Sequence, residues 1–128
     1  MKTELILEDL LNFIENNLNI SIKYFYSNDF KNIEYNRQDV YVIYDSESKT
    51  NKNYNNGKDF TLFLNFQSLN DKFLTKSDEL EEILEDYYLD TDDYSGYITD
   101  ITIQDVAFVN DKVYSRDVII KLLILKIN

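Results

Sequence analysis

The longest hydrophobic run lies at the end of the chain, where residues 118–127 read VIIKLLILKI. A strand with one face in water alternates apolar and polar residues, whereas a strand that is apolar on both faces needs a covering layer on each. A chain of 128 residues has little material for two such layers. We therefore predict a long final strand over residues 113–127 and expect a partner to cover part of it.

The first segment has the spacing of an amphipathic helix. Apolar residues recur at intervals of three and four between residues 3 and 18, and acidic and amide residues lie between them. Thr3 is suited to cap this helix, and Glu4 suits the positive end of the helix dipole. The asparagine-rich residues 16–19 predict its end.

Three further segments are predicted as strands. Residues 20–26 alternate and are rich in β-formers, residues 40–44 are apolar enough for a central strand, and residues 60–66 form the third. Residues 27–39 are polar and irregular, which predicts a loop. The polar residues 45–58 end in Asn56-Gly57, a typical type I′ turn signal between paired strands. We therefore expect a hairpin with a long, mobile tip.

A second helix is predicted over residues 77–88. Ser77 can cap it, Asp78 and Glu79 lie in its first turn, and its apolar stripe consists of Leu80, Ile83, Leu84 and Tyr87. A strand over residues 97–109 and a turn at Asn110-Asp111 precede the final strand. This order predicts a single α+β domain over residues 1–128, with a mostly antiparallel sheet of four to five strands and two helices packed on one face.

The composition is that of a folded protein, with 44% hydrophobic and 15% aromatic residues. The absence of Cys excludes disulfides and thiolate metal sites, and the absence of His removes the commonest general base. The first residues do not have the positively charged, apolar pattern of a secretory leader, so we expect none, and no apolar run is long enough to span a bilayer. We expect a soluble protein without a membrane partner or a cofactor.

The negative charge is concentrated in one window. Residues 78–93 contain nine acidic residues and no Lys or Arg, and removing these nine from the net charge of −11 leaves −2. Polyanion binding requires clustered cations, so sequence-specific nucleic-acid binding is disfavoured. The candidate acidic surface consists of Glu81, Glu82, Glu85, Asp90, Asp92 and Asp93.

The acidic residues offer two kinds of site chemistry, and the pattern favours neither. Glycoside hydrolysis needs two carboxyl groups across a cleft, but Glu81 and Glu85 lie on a helix face that the periodicity predicts to be solvated. A calcium loop with Gly96 at its sixth position would put Thr91 and Thr102 where carboxylates are required. We predict no enzyme and no metal site; weak adventitious binding of a divalent cation is the alternative to an acidic helix-to-strand connection.

Aromatic residues and one charged pair are the candidates for contacts between subunits. With 11 Tyr and 8 Phe and few interleaved basic residues, core packing and a protein interface are favoured over stacking on bases or sugars. Arg116-Asp117 is either an exposed strand end or an intersubunit ion pair that sets register. The candidate interface residues are Tyr41, Tyr44, Tyr114, Arg116 and Asp117.

Taken together, these features resemble the phage tail terminator, or tail-completion, proteins. The resemblance lies in the opening helix, in strands 40–44 and 60–66 with a long polar excursion between them, and in the Ser-Asp-Glu-Leu start at residues 77–80. It also lies in the closing pattern, in which a strand near residues 101–109 and a short turn are followed by Ser115-Arg116-Asp117 and the apolar final strand.

The resemblance implies a ring, usually of six copies, that caps the head-proximal end of a tail tube and joins it to the neck. It implies a homo-oligomer whose partners are the tail tube and sheath or neck proteins. The protein would be assembled in the host cytoplasm and reside in a virion or a phage-tail-like particle such as a bacteriocin. The acidic window could repel DNA passing through such a ring.

Two other functions are compatible with the sequence. A small acidic immunity or anti-nuclease protein would use its carboxylates to mimic phosphate in a cationic toxin site, and it would be a self-sufficient monomer. A ring protein would instead bury the final strand against a neighbour or share its sheet with one. The second of these other functions is a hydrolase that uses carboxylates for catalysis.

Overall fold

The computed structural model describes residues 3–29, 32–110 and 112–127, without the side chains of residues 3–5 and Phe73. The helices and strands, in chain order, are α1 (Thr3–Leu18), β1 (Ile22–Tyr26), β2 (Val40–Thr50), β3 (Gly57–Ser68), α2 (Asp71–Thr75), α3 (Leu80–Glu85), β4 (Tyr88–Asp90), β5 (Tyr94–Ile103), β6 (Ala107–Phe108) and β7 (Tyr114–Lys126). Two 3₁₀ turns, Ser27–Asp29 and Lys76–Glu79, follow β1 and α2.

Helix α1 has the predicted bounds, and its apolar stripe is buried. Leu10, Ile14 and Leu18 are at most 2% exposed within the hydrophobic core. The helix ends because Asn19 adopts a left-handed conformation with φ 56°, and its N–H donates to Glu15 O at 3.1 Å. The predicted cap at Thr3 lies outside the described side chains.

The fold is α+β, as predicted, but the sheet differs from the prediction. It is a large curled sheet of seven strands in the order β1-β2-β3-β7-β5-β4, with β6 also paired to β7. It is mixed, because β1 runs parallel to β2 while the other pairs are antiparallel. The expectation of four to five strands in a mostly antiparallel sheet was therefore wrong.

Three local features account for the difference. Strand β2 begins beside the start of β1, since Val40 lies opposite Ile22, and the connection between the two strands has the length of about a dozen residues that a parallel pair requires. The predicted strand over residues 97–109 is divided into β5 and β6, since residues 104–106 leave the ladder. The extra strand β4 begins at Tyr88, which we had assigned to the second helix.

The second helical layer begins earlier than predicted and is interrupted. Asn70 caps α2, its Oδ1 accepting from the Lys72 N–H at 3.0 Å. Ser77 is not the cap: it is 1% exposed inside the 3₁₀ turn, and its hydroxyl donates to Leu74 O. Helix α3 then buries Leu80 and Leu84 against the core.

The predicted hairpin is present, but its turn differs. No described glycine has a positive φ, so Asn56-Gly57 is not a type I′ turn. Gly57 instead begins β3, and the polar residues before it extend β2 as far as Thr50. The connection is therefore residues 51–56, bound to the end of β7 by the Lys126 N–H, which donates to Asn56 O at 2.9 Å.

The apolar final strand is central, between β3 and β5. Its inner side chains are 0–4% exposed beneath the helical layer: Val118, Ile120, Leu122 and Ile124. On the outer face Ile119 is half-buried, Lys121 is exposed, and Leu123 is 5% exposed between Asp59 and Tyr97 of the adjacent strands. One face is thus covered by helices, while no described helix or strand forms a layer over the other.

Among the described residues, no helix combines the length and the apolarity needed to cross a bilayer.

Candidate functional site

The acidic window is fully on the surface. All nine of its carboxylate residues are exposed, on the 3₁₀ turn, on α3, and around β4 and the loop that follows it. Glu81 and Glu85 lie on the solvated face of their helix, as predicted. Asp78 forms an ion pair with Arg116, whose side chain is 10% exposed.

A groove lies between α3 and β5. It is lined by Glu81, Glu85, Tyr97, Ile98, Asp100 and Ile101, together with Leu84, Tyr87 and Thr99. The carboxylates and Tyr97 are exposed, whereas Ile98 and Ile101 are half-buried at its base. The groove therefore combines an apolar base with an acidic rim.

The groove exists because β4 is short. Its partners on β5 are only Ser95, Gly96 and Tyr97, so no described strand pairs with residues 98–103 on that side. A register shift between Ile98 and Asp100 bends β5 there, and the Thr99 hydroxyl donates to Lys121 O at 3.2 Å. An open strand edge carries unpaired N–H and C=O groups that can pair with another chain.

The opposite side of the sheet has a second open edge. Strand β1 pairs only with Val40–Tyr44, so residues 45–50 of β2 pair with β3 on one side and with no described strand on the other. The end of this hairpin, residues 48–58, contains three lysines and no acidic residue. Lys49, Lys52 and Lys58 are exposed, and Tyr54 is 46% exposed.

The outer face of the sheet has an apolar centre that periodicity did not single out. Phe63 of β3 lies directly opposite Ile119 of β7, with Ile43 of β2 nearby on the same face. Phe63 is 38% exposed, and Asp45 and Asp117 flank the row. The sequence did contain a signal for this apolar face. Leu62 and Leu64 point inward, so Phe63 between them must point to the outer face.

Arg116 and Asp117, predicted as a pair, point to opposite faces of β7 because successive strand residues alternate. The Arg116 side chain is 10% exposed; its Nη1 donates to Leu74 O at 3.3 Å, Ser77 Oγ at 3.0 Å and Asp78 Oδ1 at 2.5 Å. Asp117 is exposed and accepts from Asn65 Nδ2 at 2.8 Å. The Nη1 of Arg116 is thus occupied within its own chain, while its Nε is buried without a hydrogen-bond partner among the described residues.

The three tyrosines predicted at a subunit interface differ in how far they are buried. Tyr41 is 2% exposed, and its hydroxyl donates to Glu34 O and accepts from the Asn36 N–H, so its ring is not available to a second copy. Tyr44 and Tyr114 are half-buried. Tyr114 packs on Phe108, which is 67% exposed, with ring centroids 4.8 Å apart. Tyr44, Tyr114 and Asp117 remain predictions for an interface.

Two other tyrosines attach α1 to the rest of the molecule. The Tyr87 hydroxyl donates to Asp9 Oδ2 at 2.8 Å, and its ring meets Phe13 edge-on with centroids 5.1 Å apart. The Tyr24 hydroxyl donates to Leu11 O at 3.0 Å. Burial raises the pKa of both hydroxyls, with smaller contributions from Asp9 at Tyr87 and from Glu15 at Tyr24.

The segment considered as a calcium loop is closed by its own hydrogen bonds. The Thr91 N–H donates to Tyr94 O, and the Tyr94 N–H donates to Thr91 Oγ1, both at 2.9 Å. Within residues 3–29, 32–110 and 112–127, no group of three or more acidic side chains is placed to hold a metal ion.

No protein family and no curated protein matches this chain.

Proposed function

We propose that this chain is a structural assembly protein: a ring-forming tail terminator that caps the head-proximal end of a phage or phage-tail-like tube and joins it to the neck. The observation that carries the proposal is the pair of open strand edges, on β2 and β5, at opposite sides of one sheet. A contact that joins one surface of a subunit to a different surface of the next copy is heterologous. Such contacts build a closed ring when the rotation between successive copies adds up to a full turn.

Two further features support this proposal. The order of α1, the long β2–β3 hairpin, a helical segment and a closing antiparallel pair agrees with the architecture on which the resemblance rests. The outer sheet face, with Phe63 at its centre, offers an apolar surface that an assembly partner could cover.

Electron microscopy of the purified protein mixed with tail tubes from the same particle tests the proposal. We expect a ring of fixed copy number at one end of each tube. A chain that is monomeric in dilute solution would still agree, since such a ring can close on the tube by mass action. Uniform decoration along the tube, or no association, would contradict the proposal.

The immunity or anti-nuclease function remains the second candidate, because all nine carboxylates of the acidic window are exposed. The triple variant Glu79→Gln, Glu82→Gln and Asp86→Asn separates the two functions, since these exposed residues do not line the groove. An anti-nuclease protein would lose at least tenfold in its inhibition of cationic toxin DNase domains. A tail terminator would cap tubes as the wild type does and would not inhibit these domains.

A further inference from the structure

We propose that the basic hairpin end of one copy, residues 48–58, docks in the groove between α3 and β5 of the next copy. This inference rests on the proposed function, because it names the two surfaces through which the ring closes. It goes beyond that function by specifying a head-to-tail contact, in which lysines of the hairpin end of one copy face carboxylates of the groove of the next.

The groove can accept an extended chain. Residues 98–103 of β5 have no partner strand on the groove side among the described residues, so their outward backbone groups are available for pairing. Ile98 and Ile101 are half-buried beneath, and an incoming strand would complete their burial. Strand addition of this kind obtains its affinity from main-chain hydrogen bonds and its specificity from side chains.

The charges of the groove select a cationic partner. Glu81, Glu85 and Asp100 are exposed at its rim. The two ion pairs found among the described residues, Lys23–Asp39 and Arg116–Asp78, involve none of these three carboxylates. A segment carrying several cations would gain Coulomb energy from all three and would be steered towards the groove.

The hairpin end has the complementary composition. Lys49, Lys52 and Lys58 are exposed and take part in neither of those ion pairs. Its loop is held in place: the Asn51 N–H donates to Gly57 O at 3.1 Å, and Asn51 Nδ2 donates to Asp59 Oδ1 at 2.8 Å. Holding the loop before contact reduces the conformational entropy lost on binding.

The two surfaces lie on different edges of the sheet. Strands β3 and β7 separate β2 from β5, which places the two edges roughly 14 Å apart at the usual strand spacing. Neither described ion pair joins them within one chain. Contact between different surfaces of successive copies is heterologous, which is the type that forms rings.

Cysteine cross-linking tests the contact directly, because the chain has no Cys. Asn53→Cys marks the hairpin end and Thr99→Cys marks the groove; both positions are exposed. Under mild oxidation at high protein concentration, a mixture of the two variants should form a disulfide dimer, and the double variant should form a ladder of oligomers. The matched control replaces Asn53→Cys by Asn16→Cys, an exposed position on α1. Equal yields from the two mixtures would overturn the proposal.

Charge reversal tests the chemistry of the contact. Lys49→Glu, Lys52→Glu and Lys58→Glu together should reduce the cross-linking yield at least tenfold, and so should Glu81→Lys, Glu85→Lys and Asp100→Lys. Mixing the two reversed proteins, each with its cysteine, should restore the yield. The control reversal of Glu79, Glu82 and Asp86 should leave it near the wild-type value. A similar loss in this control, or no restoration on mixing, would contradict the proposed pairing.

The docking proposal and the tail function can fail separately. If the wild type caps tubes but the hairpin–groove cross-link does not form, the docking proposal is wrong and the tail function stands. If the cross-link forms and responds to charge reversal but no ring forms on tubes, the contact is real and the tail function is wrong.

Discussion

At the residue scale, Arg116 shows how one side chain joins the helical layer to the sheet. Its guanidinium donates to the carbonyl that ends α2, to a buried hydroxyl and to an exposed carboxylate. The first two partners are protein groups with little access to water, whereas the Asp78 side chain is 62% exposed. The two partners at the end of α2 should therefore contribute more to stability than the ion pair does.

Replacing Arg116→Met should lower the free energy of unfolding by about 1–3 kcal/mol, because Ser77 Oγ loses its buried donor and Leu74 O loses one of its donors. Replacing Asp78→Asn should lower it by less than about 1 kcal/mol, since water can solvate the exposed side of the pair. Urea denaturation followed by circular dichroism measures both. If the two variants were equally destabilised, the ion pair rather than the buried hydrogen bonds would hold this contact.

At the element scale, α1 is attached by its apolar stripe and by the hydroxyls of Tyr24 and Tyr87. Because their pKa values are raised in the folded state, folding favours the neutral phenol. This contribution is fully present below the ordinary tyrosine pKa of 10.0 and is lost as the pH rises above it. The attachment of α1 should therefore weaken in alkali.

We expect the free energy of unfolding to fall above about pH 10, by at most about 1.4 kcal/mol per pH unit for each of these tyrosines. Tyr87→Phe keeps the ring and removes the hydroxyl, so it should cost about 1 kcal/mol at pH 7 and make the alkaline decline shallower. Urea titrations from neutral to alkaline pH measure both effects. The control Tyr88→Phe, at a side chain 58% exposed, should cost little stability at pH 7. An alkaline slope that is unchanged in Tyr87→Phe would contradict the role assigned to the Tyr87 hydroxyl.

Elements differed in how far they could be predicted. The extent of helix α1 was predicted closely, because one uninterrupted stripe of period 3.6 runs through it. The helical segment over residues 71–85 was not, because the chain turns at Lys76–Glu79 and the two short helices present separate apolar residues to the core. The polar extension of β2 was also missed, since strand propensity is weak in a sequence such as Ser-Glu-Ser-Lys and pairing with β3 supplies the stability.

At the scale of the whole molecule, the apolar final strand occupies the centre of the sheet. Its inner face is covered by the helices. The sequence led us to expect a covering layer on the outer face as well, but no described helix or strand forms one. The neighbouring strands bury Leu123, and Lys121 and Asp117 keep other parts of the outer face in contact with water. The surface left for a partner on this face is therefore the row of Ile43, Phe63 and Ile119, smaller than the hydrophobic run suggested.

The sequence by itself determined the fold class, the first helix, the hairpin and the long final strand, because each depends on a local periodicity or a local contrast between apolar and polar residues. It also placed the acidic window on the surface, since nine carboxylates without nearby cations cannot be buried at acceptable cost. It did not determine strand order, the parallel β1–β2 pair or the two open edges, because pairing joins residues far apart in the chain.

The tertiary structure decided which candidate residues can reach a partner. Tyr41 and Arg116 were predicted as candidate interface residues, but they form hydrogen bonds to residues 34, 36, 74, 77 and 78 of their own chain. Phe63 lies within a predicted strand without having been singled out, and it is 38% exposed. Exposure depends on what packs above a residue, and that neighbour comes from a distant part of the chain.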